Sequence, residues 1–434
     1  MTSRMVDEDR DRASVLTSLG RKGRAGAAAA IVAGAFALGV VAGGGDLGGT
    51  HDAVAESSLT GRPEFATLEK TWELIHEQWP DPAQLDDADL VYGAAKGMVA
   101  AIGDQGHSGF LDPAAAAAME ESLKAEYVGI GVEVDSRCGV PVVASTMSGS
   151  PAEAAGLQQG DVIAEVDNVS TRHMDMSSLR DLILGKEGDH LNLTIERPNE
   201  PDPLHVDVTR QTIELHPVTW RWLPDHTVQL RITDFEAGVN QKVRSALQTI
   251  RDEGGQRLIL DLRGNPGGLV PEVIGVASEF LDEGSTVFEE KERDQEARPI
   301  KTVGHTGTWQ DLALVVLIDD DSASGAEVLA AALRDNGRAH LVGETTFGTG
   351  TVLTTFPQDD GSSVVLATAF WLTPDGDLVW KEGVEPDQFV ALANDAFPSR
   401  PEDDPELTES ELEGSADAQL RAAFKSVEDV AVSP

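Results

Sequence analysis

Ser324 stands where an apolar run gives way to a sequence that favours a helix. The run Leu312–Ile318 predicts a strand, residues 319–323 a polar turn, and Ala326–Leu333 a helix. A serine beside a helix N-terminus is suited to nucleophilic chemistry, because the helix dipole stabilises negative charge there. The same serine also begins a Ser-x-x-Glu capping box with Glu327, which explains both residues without catalysis. The residues alone leave both interpretations open.

A glycine-rich turn is the second candidate for chemistry. It lies in Leu260-Asp-Leu-Arg-Gly-Asn-Pro-Gly-Gly-Leu269, between a strand predicted over Arg257–Leu262 and a helix predicted over Pro271–Leu281. Such a turn can direct backbone amides into a cleft. Amides aimed at a developing oxyanion lower the barrier to acyl transfer. Alone, the pattern also fits a tight turn without a ligand.

Both segments resemble the core of the carboxy-terminal processing peptidases, also called tail-specific proteases. Val342–Val352 and Gly383-Val-Glu-Pro-Asp387 extend the resemblance, which covers most of residues 85–390. It implies an extracytoplasmic serine endopeptidase that hydrolyses protein substrates near their C-termini. It implies no metal ion and no organic cofactor.

The resemblance also assigns roles to single residues, and one of them departs from the family pattern. It implies that Ser324 is the nucleophile and that the amides of Gly268 and Gly325 hold the oxyanion. The family's lysine base would fall at position 349, which is Thr349, and the glutamine that orients the lysine would fall at Leu353. Because threonine is no base near neutral pH, a second interpretation stays open. It is an inactive relative that binds protein C-termini as an adaptor or sensor.

His107 is a candidate replacement for the missing base. It lies in the glycine-flanked segment Gly103–Leu111, and more distant relatives of the tricorn type take a catalytic histidine from a corresponding region. The pKa of histidine suits proton transfer near neutral pH. An ordinary turn histidine is the alternative. Lys381 is a weaker candidate.

Residues 123–212 resemble a PDZ domain. Val128-Gly-Ile-Gly-Val-Glu-Val134 matches the loop whose amides hold a peptide carboxylate, and Gly149–Asp167 matches the second half of the fold. The resemblance implies that Val128, Gly129, Ile130 and Gly131 bind the C-terminus of a substrate by strand addition, beside a helix at Ser177–Leu184. A domain that serves only as a gate or spacer is the alternative.

The fold class is predicted as α/β, mixed α+β over the whole chain. Residues 61–122 show apolar residues at three- and four-residue steps, which predicts a helical N-terminal subdomain. In the resembling family this region often supports dimers, so the resemblance implies a homodimer; a plain amphipathic subdomain is the alternative. Residues 213–395 alternate strand and helix signals, which predicts the peptidase core. Residues 396–434 are acidic and are predicted to be solvated and poorly ordered, except for a helix near Leu420–Val427.

The N-terminus predicts a membrane anchor. Residues 25–43 are uncharged and precede a glycine-rich linker at 44–60. They follow an N-terminal segment at 1–24 that ends with the basic residues Arg21, Lys22 and Arg24. The positive flank orients the N-terminus towards the cytoplasm and the bulk of the chain outside it. A cleaved signal peptide ending near Ala53-Val-Ala55 is the alternative, and the protein would then be secreted.

The overall charge limits the choice of partners. The formal net charge is −42 over 434 residues, which argues against nucleic-acid binding. The acidity serves solubility, or it attracts basic partners. The single cysteine, Cys138, permits no intrachain disulfide. The expected partners are protein or peptide substrates with free C-termini.

Overall fold

The structure is a computed structural model that describes residues 62–430 apart from 105–107, 123–125, 305–307, 394–395 and single positions 138, 148, 199, 215 and 405. The described chain divides into two compact units. The smaller unit contains the residues up to 116 together with 353–367, and the larger contains 117–352 and the residues from 368 onward. Mixed helices and strands confirm the predicted fold class.

The smaller unit is mainly helical, as predicted. It contains helices α1 (Phe65–Gln78) and α2 (Asp87–Ala100), a short 3-10 helix (Pro82–Gln84), the start of α3 (Pro113–Ser122) and strand β1 (Gly109–Leu111). Strand β1 pairs in antiparallel register with Ser363–Val365. Neither α1 nor α2 buries any residue. Their apolar side chains therefore contribute little to the core of this unit.

The PDZ region forms its own strands around its own core. A two-stranded sheet joins β2 (Glu126–Gly129) to β9 (Gln211–Glu214). The main sheet has the order β3-β4-β5-β7-β8, with β6 beside β5. The strands of the main sheet and the two helices are β3 (Val132–Arg137), β4 (Val140–Thr146), α4 (Pro151–Ala154), β5 (Val162–Val166), β6 (Val169–Ser170), α5 (Met176–Ile183), β7 (His190–Glu196) and β8 (Leu204–Thr209).

A six-stranded sheet forms the centre of the larger unit, with the order β10-β11-β12-β15-β16-β19. Strand β10 is antiparallel to its neighbour, and the other pairs are parallel. The strands are β10 (Val218–Leu223), β11 (Thr227–Ile232), β12 (Arg257–Asp261), β15 (Ala313–Ile318), β16 (His340–Gly343) and β19 (Gln388–Phe389). The helices between them are α6 (Val239–Asp252), α7 (Val270–Phe280) and α8 (Gly325–Asp335). The predicted alternation of strands and helices is confirmed.

The remaining strands belong to a second sheet. They are β13 (Thr286–Glu292), β14 (Arg298–Lys301), β17 (Thr351–Pro357) and β18 (Ser363–Leu372). Within the larger unit, β13 pairs with β14 and with residues Ala369–Leu372 of β18.

The prediction of a poorly ordered acidic tail is wrong. Residues 396–430 pack on the core and form α9 (Glu409–Gly414) and α10 (Ala418–Asp429). Leu420, Ala423 and Val427 are buried against Ile259 and other side chains on one face of the sheet, whereas α6, α7 and α8 cover the opposite face. A largely parallel sheet needs cover on both faces, and the tail provides the second cover. The helix predicted near Leu420–Val427 is confirmed.

The predicted anchor at 25–43 lies outside the described residues. Within the part of the chain that the structure describes, no helix is both long enough and apolar enough to span a bilayer.

Candidate active site

Three turns meet at one edge of the six-stranded sheet. Strands β12, β15 and β16 are parallel neighbours, so their carboxyl ends lie side by side. The glycine turn 264–268 follows β12, the serine turn 319–324 follows β15, and the segment 344–350 follows β16. Sites in α/β folds form at this edge of the sheet. The fold therefore brings together the segments that were singled out in the sequence.

Ser324 has a strained backbone at the N-terminus of α8. Its φ is 50° and its ψ is −113°, a conformation that L residues rarely adopt. Ser324 and Glu327 form the predicted capping box, in which the Ser324 amide donates to the Glu327 carboxylate over 2.8 Å. The serine is partly exposed although the helix residues after it are buried. The cap thus fixes the serine without removing it from solvent.

The glycine turn approaches Ser324 more closely than any side chain would allow. A Cβ atom on Gly267 would lie 2.7 Å from the Gly325 nitrogen and 3.0 Å from Ser324 Oγ. The φ of Gly267 is +105°, which also excludes most other residues. The sequence prediction named Gly268 and missed the close approach of Gly267.

The amides of Gly268 and Gly325 are available to a ligand. Gly268 forms a parallel bridge with Phe235, whose amide donates to Gly267 and whose carbonyl accepts from Leu269. This pattern leaves the Gly268 amide directed away from Phe235. Gly325 is the first residue of α8, where N–H groups have no partner within the helix. Among the described residues, neither amide has a hydrogen-bond acceptor.

Asn265 holds the glycine turn against the serine turn, and the sequence prediction missed it. Its side chain is fully buried, accepts from the Gly267 amide over 2.7 Å and donates to the Ile232 carbonyl over 2.8 Å. Its carbonyl accepts from the Ala323 amide over 2.9 Å. An asparagine that bonds the backbone two residues later is a typical turn residue. Asn-Pro-Gly-Gly could have indicated this turn.

Glu327 links α8 to the segment after β16. Its carboxylate is fully buried and accepts hydrogen bonds from the amides of Ser324, Gly348 and Thr349 and from Thr346 Oγ1. Burial raises the pKa of Glu327 above its usual value, although these bonds oppose the shift. None of the ion pairs between described residues includes Glu327. A buried carboxylate beside the nucleophile is therefore held by dipoles alone.

Thr349 lies beside Ser324, as the resemblance implies for the base position. It is fully buried, and its Oγ1 accepts a hydrogen bond from the Ser324 amide over 3.2 Å. Leu353, at the position of the family's glutamine, is also buried and belongs to the smaller unit. The neighbouring Gly350 packs tightly, because a Cβ there would lie 2.1 Å from the Trp380 nitrogen.

Of the two candidate replacement bases, only Lys381 belongs to the described residues. Lys381 is exposed, its amide donates to the Gly348 carbonyl over 2.8 Å, and its Nζ lies 4.0 Å from the centroid of the Trp380 ring. His107 lies outside the described residues. Its neighbour Ser108 donates to Asp104 over 2.6 Å. Among described residues, no histidine or lysine hydrogen-bonds the Ser324 side chain, so the base stays a prediction.

The serine turn contains two acidic residues with shifted pKa values. Burial raises the pKa of Asp319, whose carboxylate accepts from the Gly264 amide over 2.9 Å and from Ser322 Oγ over 3.0 Å. Burial, and then the charge of Asp319, raise the pKa of Asp321. Asp135 of the PDZ region adds to the same effect. Asp319 therefore connects Gly264, the first residue of the glycine turn, to the serine turn by a hydrogen bond.

The predicted carboxylate loop is shorter than expected. Val128 and Gly129 are the last residues of β2, so only Ile130 and Gly131 form the turn. The Ile130 carbonyl accepts from the Ala152 amide, and Gly131, at φ +71°, packs against Ser150. No acceptor among the described residues is found for the amides of Ile130 and Gly131. Strand β3, which follows them, is the outermost strand of its sheet.

The described residues contain no group of three or more His, Cys, Asp or Glu side chains that could hold a metal ion. The geometry of the serine and glycine turns supports acyl transfer by nucleophile and amide dipoles, a chemistry that needs only side chains and backbone.

Two family models match the chain. Residues 226–390 match peptidase family S41, and residues 142–197 match the PDZ domain. Among solved structures, the photosystem II D1 C-terminal processing protease superposes with a TM-score of 0.53 at 28% identity, covering 75% of this chain and 88% of that one. The fold is thus shared with a known C-terminal processing protease.

Curated relatives give the same result along most of their length. The carboxy-terminal processing protease CtpA of Bacillus subtilis is 34% identical over 331 residues, which are 76% of this chain and 70% of that protein. The carboxyl-terminal-processing protease of Picosynechococcus is 33% identical over 327 residues, which are 74% of this chain and 78% of that protein. Since such identity extends over more than two thirds of each relative, this chain belongs to the carboxy-terminal processing proteases, the PDZ-containing serine-type peptidases of family S41.

Proposed function

We propose that Ser324 cleaves protein substrates near their C-termini although the family lysine is absent. Ser324 Oγ attacks the carbonyl carbon of the scissile bond and gives its proton to a general base. The amides of Gly268 and Gly325 hold the oxyanion of the tetrahedral intermediate. The protonated base gives the proton to the amine as the C–N bond breaks, and water then hydrolyses the acyl-enzyme.

The observation that carries the proposal is the contact between the two turns. Gly267 lies directly against Ser324 and Gly325, so that only glycine fits at this position. Such a close approach, together with a strained serine, has no use in a plain helix cap. Strain of about 1–3 kcal/mol persists where the surroundings enforce it, and it is concentrated at functional sites.

A fluorophosphonate probe tests this proposal on the purified chain. Labelling of the parent, lost in Ser324→Ala and retained in Ser322→Ala, would identify Ser324 as the nucleophile. Ser322 is a suitable comparison because it is buried and donates to the Leu262 carbonyl. Absence of labelling in a folded parent would overturn the proposal.

The PDZ region is proposed to capture the free C-terminus of the substrate. Two amides of the turn Ile130–Gly131 lack acceptors among described residues, and the adjacent strand β3 is an edge strand. A carboxylate in the turn and an extended peptide along β3 would satisfy both. In the Ser324→Ala background, a peptide acid should bind more tightly than its amide, and equal binding would indicate a spacer.

The location and assembly are further proposals. Basic residues before the uncharged segment 25–43 support an extracytoplasmic, membrane-anchored protein. A reporter fused after Pro434 should then be active only outside the cytoplasm. Exposed apolar side chains support a homodimer through α1 and α2, among them Trp79, directly after α1, at 54% and Met98 of α2 at 48%. Trp79→Ser with Met98→Ser should shift the mass in solution from dimer to monomer.

The second candidate is a protein that binds C-termini without hydrolysis. The observation that favours it is Thr349, whose buried hydroxyl bonds the Ser324 amide where a base is expected. Under this hypothesis the peptide acid would bind, while neither labelling nor hydrolysis would occur.

A further inference from the structure

The C-terminal segment reaches the glycine turn through one buried arginine. Arg263 lies between β12 and the turn, and its side chain is 2% exposed. Its guanidinium donates to Asp261 from Nε over 2.9 Å and from Nη2 over 2.6 Å. On its other side, Nη1 donates to both oxygens of Asp417, over 3.1 and 2.9 Å, and to Gln419 Oε1 over 3.1 Å. Residues far apart in the chain thus enclose the arginine.

Asp417 uses both carboxylate oxygens. Oδ1 accepts from the Leu420 amide over 2.9 Å and caps α10, and Oδ2 accepts from the Ser399 amide over 2.8 Å. Each oxygen also accepts from Arg263. Asp417 therefore joins two parts of the C-terminal segment to Arg263, the residue directly before the glycine turn.

Hydrogen bonds connect the residues between Arg263 and the oxyanion amide of Gly268 to the serine turn. The next residue, Gly264, donates to Asp319, and Asn265 then bonds Gly267 and the serine turn. A displacement of Arg263 would move the start of a turn in which Gly267 already touches Ser324. Small displacements at a catalytic centre have large effects on rate.

The same C-terminal segment also contacts the PDZ region. Arg400 forms an ion pair with Glu133 of β3 and donates to Ser145 Oγ over 3.0 Å. Glu402 pairs with Arg231 of β11 over 2.9 Å. These contacts fix the C-terminal segment at several points. The position of Asp417 therefore does not depend on its bond to Arg263 alone.

We propose that Asp417 is a positioning residue of the peptidase. It holds the glycine turn in its active geometry through Arg263. The proposal rests on the proposed function for its kinetic consequence, but its structural consequence can be measured in an inactive protein. The competing explanation is that Asp417 only caps α10 and stabilises the fold.

The test compares Asp417→Asn with the matched control Glu428→Gln. Asparagine is as good an N-cap as aspartate and keeps one acceptor for the Leu420 amide. It has a single side-chain oxygen and no charge, so it cannot serve Arg263, Ser399 and Leu420 together. Glu428 is exposed on the same helix, and its replacement removes the same charge.

The expected result is a split between the kinetic constants. Asp417→Asn should lower kcat about tenfold with little change in KM, because the turn acts in the transition state rather than in substrate binding. Amide hydrogen exchange across residues 264–269 should become faster. The melting temperature should also fall, because the buried guanidinium loses a charged partner. Glu428→Gln should match the parent in all three measurements.

Gln419→Met provides a second variant if Asp417→Asn does not fold. It keeps the side-chain size but removes one acceptor from Arg263, and a smaller effect in the same direction is expected. Unchanged exchange at 264–269 in a folded variant would overturn the proposal. If the parent is not labelled at Ser324, the proposed function fails, whereas the exchange measurement still decides the role of Asp417.

Discussion

The backbone amide of Ser324 donates a hydrogen bond to the side-chain oxygen of Thr349 over 3.2 Å. The position that the resemblance gave to the lysine base is therefore adjacent to the nucleophile, as the family geometry requires. The group at that position is a buried hydroxyl engaged with the backbone. The turn around Ser324 follows the family pattern, but residue 349 is not the lysine that would accept the proton of Ser324. Hydrolysis therefore requires a base from another position.

Gly267→Ala should strongly reduce hydrolysis while the fold stays largely intact. The new methyl group would meet Ser324 Oγ and the Gly325 nitrogen at 3.0 and 2.7 Å. This steric conflict should displace the glycine turn. We expect a fall in turnover of about a hundredfold or more. Gly254→Ala is the control, because Gly254 also has a positive φ of +92° but no atom near its Cβ position. Equal activity of both variants would contradict the assignment of this turn.

Asp321→Asn should stabilise the protein increasingly as the pH rises. The folded-state pKa of Asp321 is raised by burial and by the charge of Asp319, so the folded protein keeps a proton that the unfolded chain releases near about pH 4. Stability is therefore lost as the pH rises from that value through the raised folded pKa. Asparagine resembles the protonated acid and removes this loss.

The measurement is the melting temperature of parent and variant at about pH 5 and about pH 9. The difference should grow between the two values. Asp202→Asn, at an exposed loop of the PDZ region, removes the same charge and should give a nearly constant difference. A constant difference for Asp321→Asn as well would contradict the raised pKa.

The elements of the core could be predicted because their signals are local. Strands such as Arg257–Asp261 are short apolar runs, and the glycine and serine turns follow them directly. The contact of Gly267 with Ser324 could not be predicted in this way. It depends on which strands become neighbours, and this pairing joins residues more than fifty positions apart.

The ordered C-terminal segment shows a different limit of sequence reasoning. Its acidic composition suggested solvation, but Leu412, Leu420 and Val427 cover one face of the sheet. The need for this cover was present in the sequence, because β15 is apolar at every position and hence buried on both faces. Asp417 and Gln419 read as ordinary surface residues, since their partner Arg263 lies about 150 positions earlier.

His107→Ala tests the proposed replacement base. If His107 accepts the proton of Ser324, turnover should fall by about a hundredfold or more. In the parent, activity should follow a group that titrates between about pH 6 and 7.5. His205→Ala, at an exposed position of the PDZ region, is the control and should retain activity. Unchanged turnover in His107→Ala would exclude this histidine from the mechanism.

Thr349→Lys with Leu353→Gln should restore the family's serine–lysine dyad. The lysine side chain would enter a fully buried position next to Ser324. Burial lowers the lysine pKa from about 10.4 towards neutrality, which a base requires. The carboxylate of Glu327, within hydrogen-bond distance of the Thr349 amide, opposes this shift by stabilising the ammonium form. The larger side chain also costs about 1–3 kcal/mol of packing energy.

The decisive comparison adds His107→Ala to the double variant. If the active site retains the geometry of the serine–lysine dyad, the triple variant should hydrolyse unfolded substrates. The single His107→Ala variant should not hydrolyse them. Thr349→Met with Leu353→Gln and His107→Ala is the matched control, since methionine has similar length but no amine, and it should be inactive. If the folded lysine variant is as inactive as the methionine variant, the cleft does not direct residue 349 towards Ser324 Oγ. The tight packing of Gly350 on Trp380 would then explain why, because it prevents the segment from adjusting to a longer side chain.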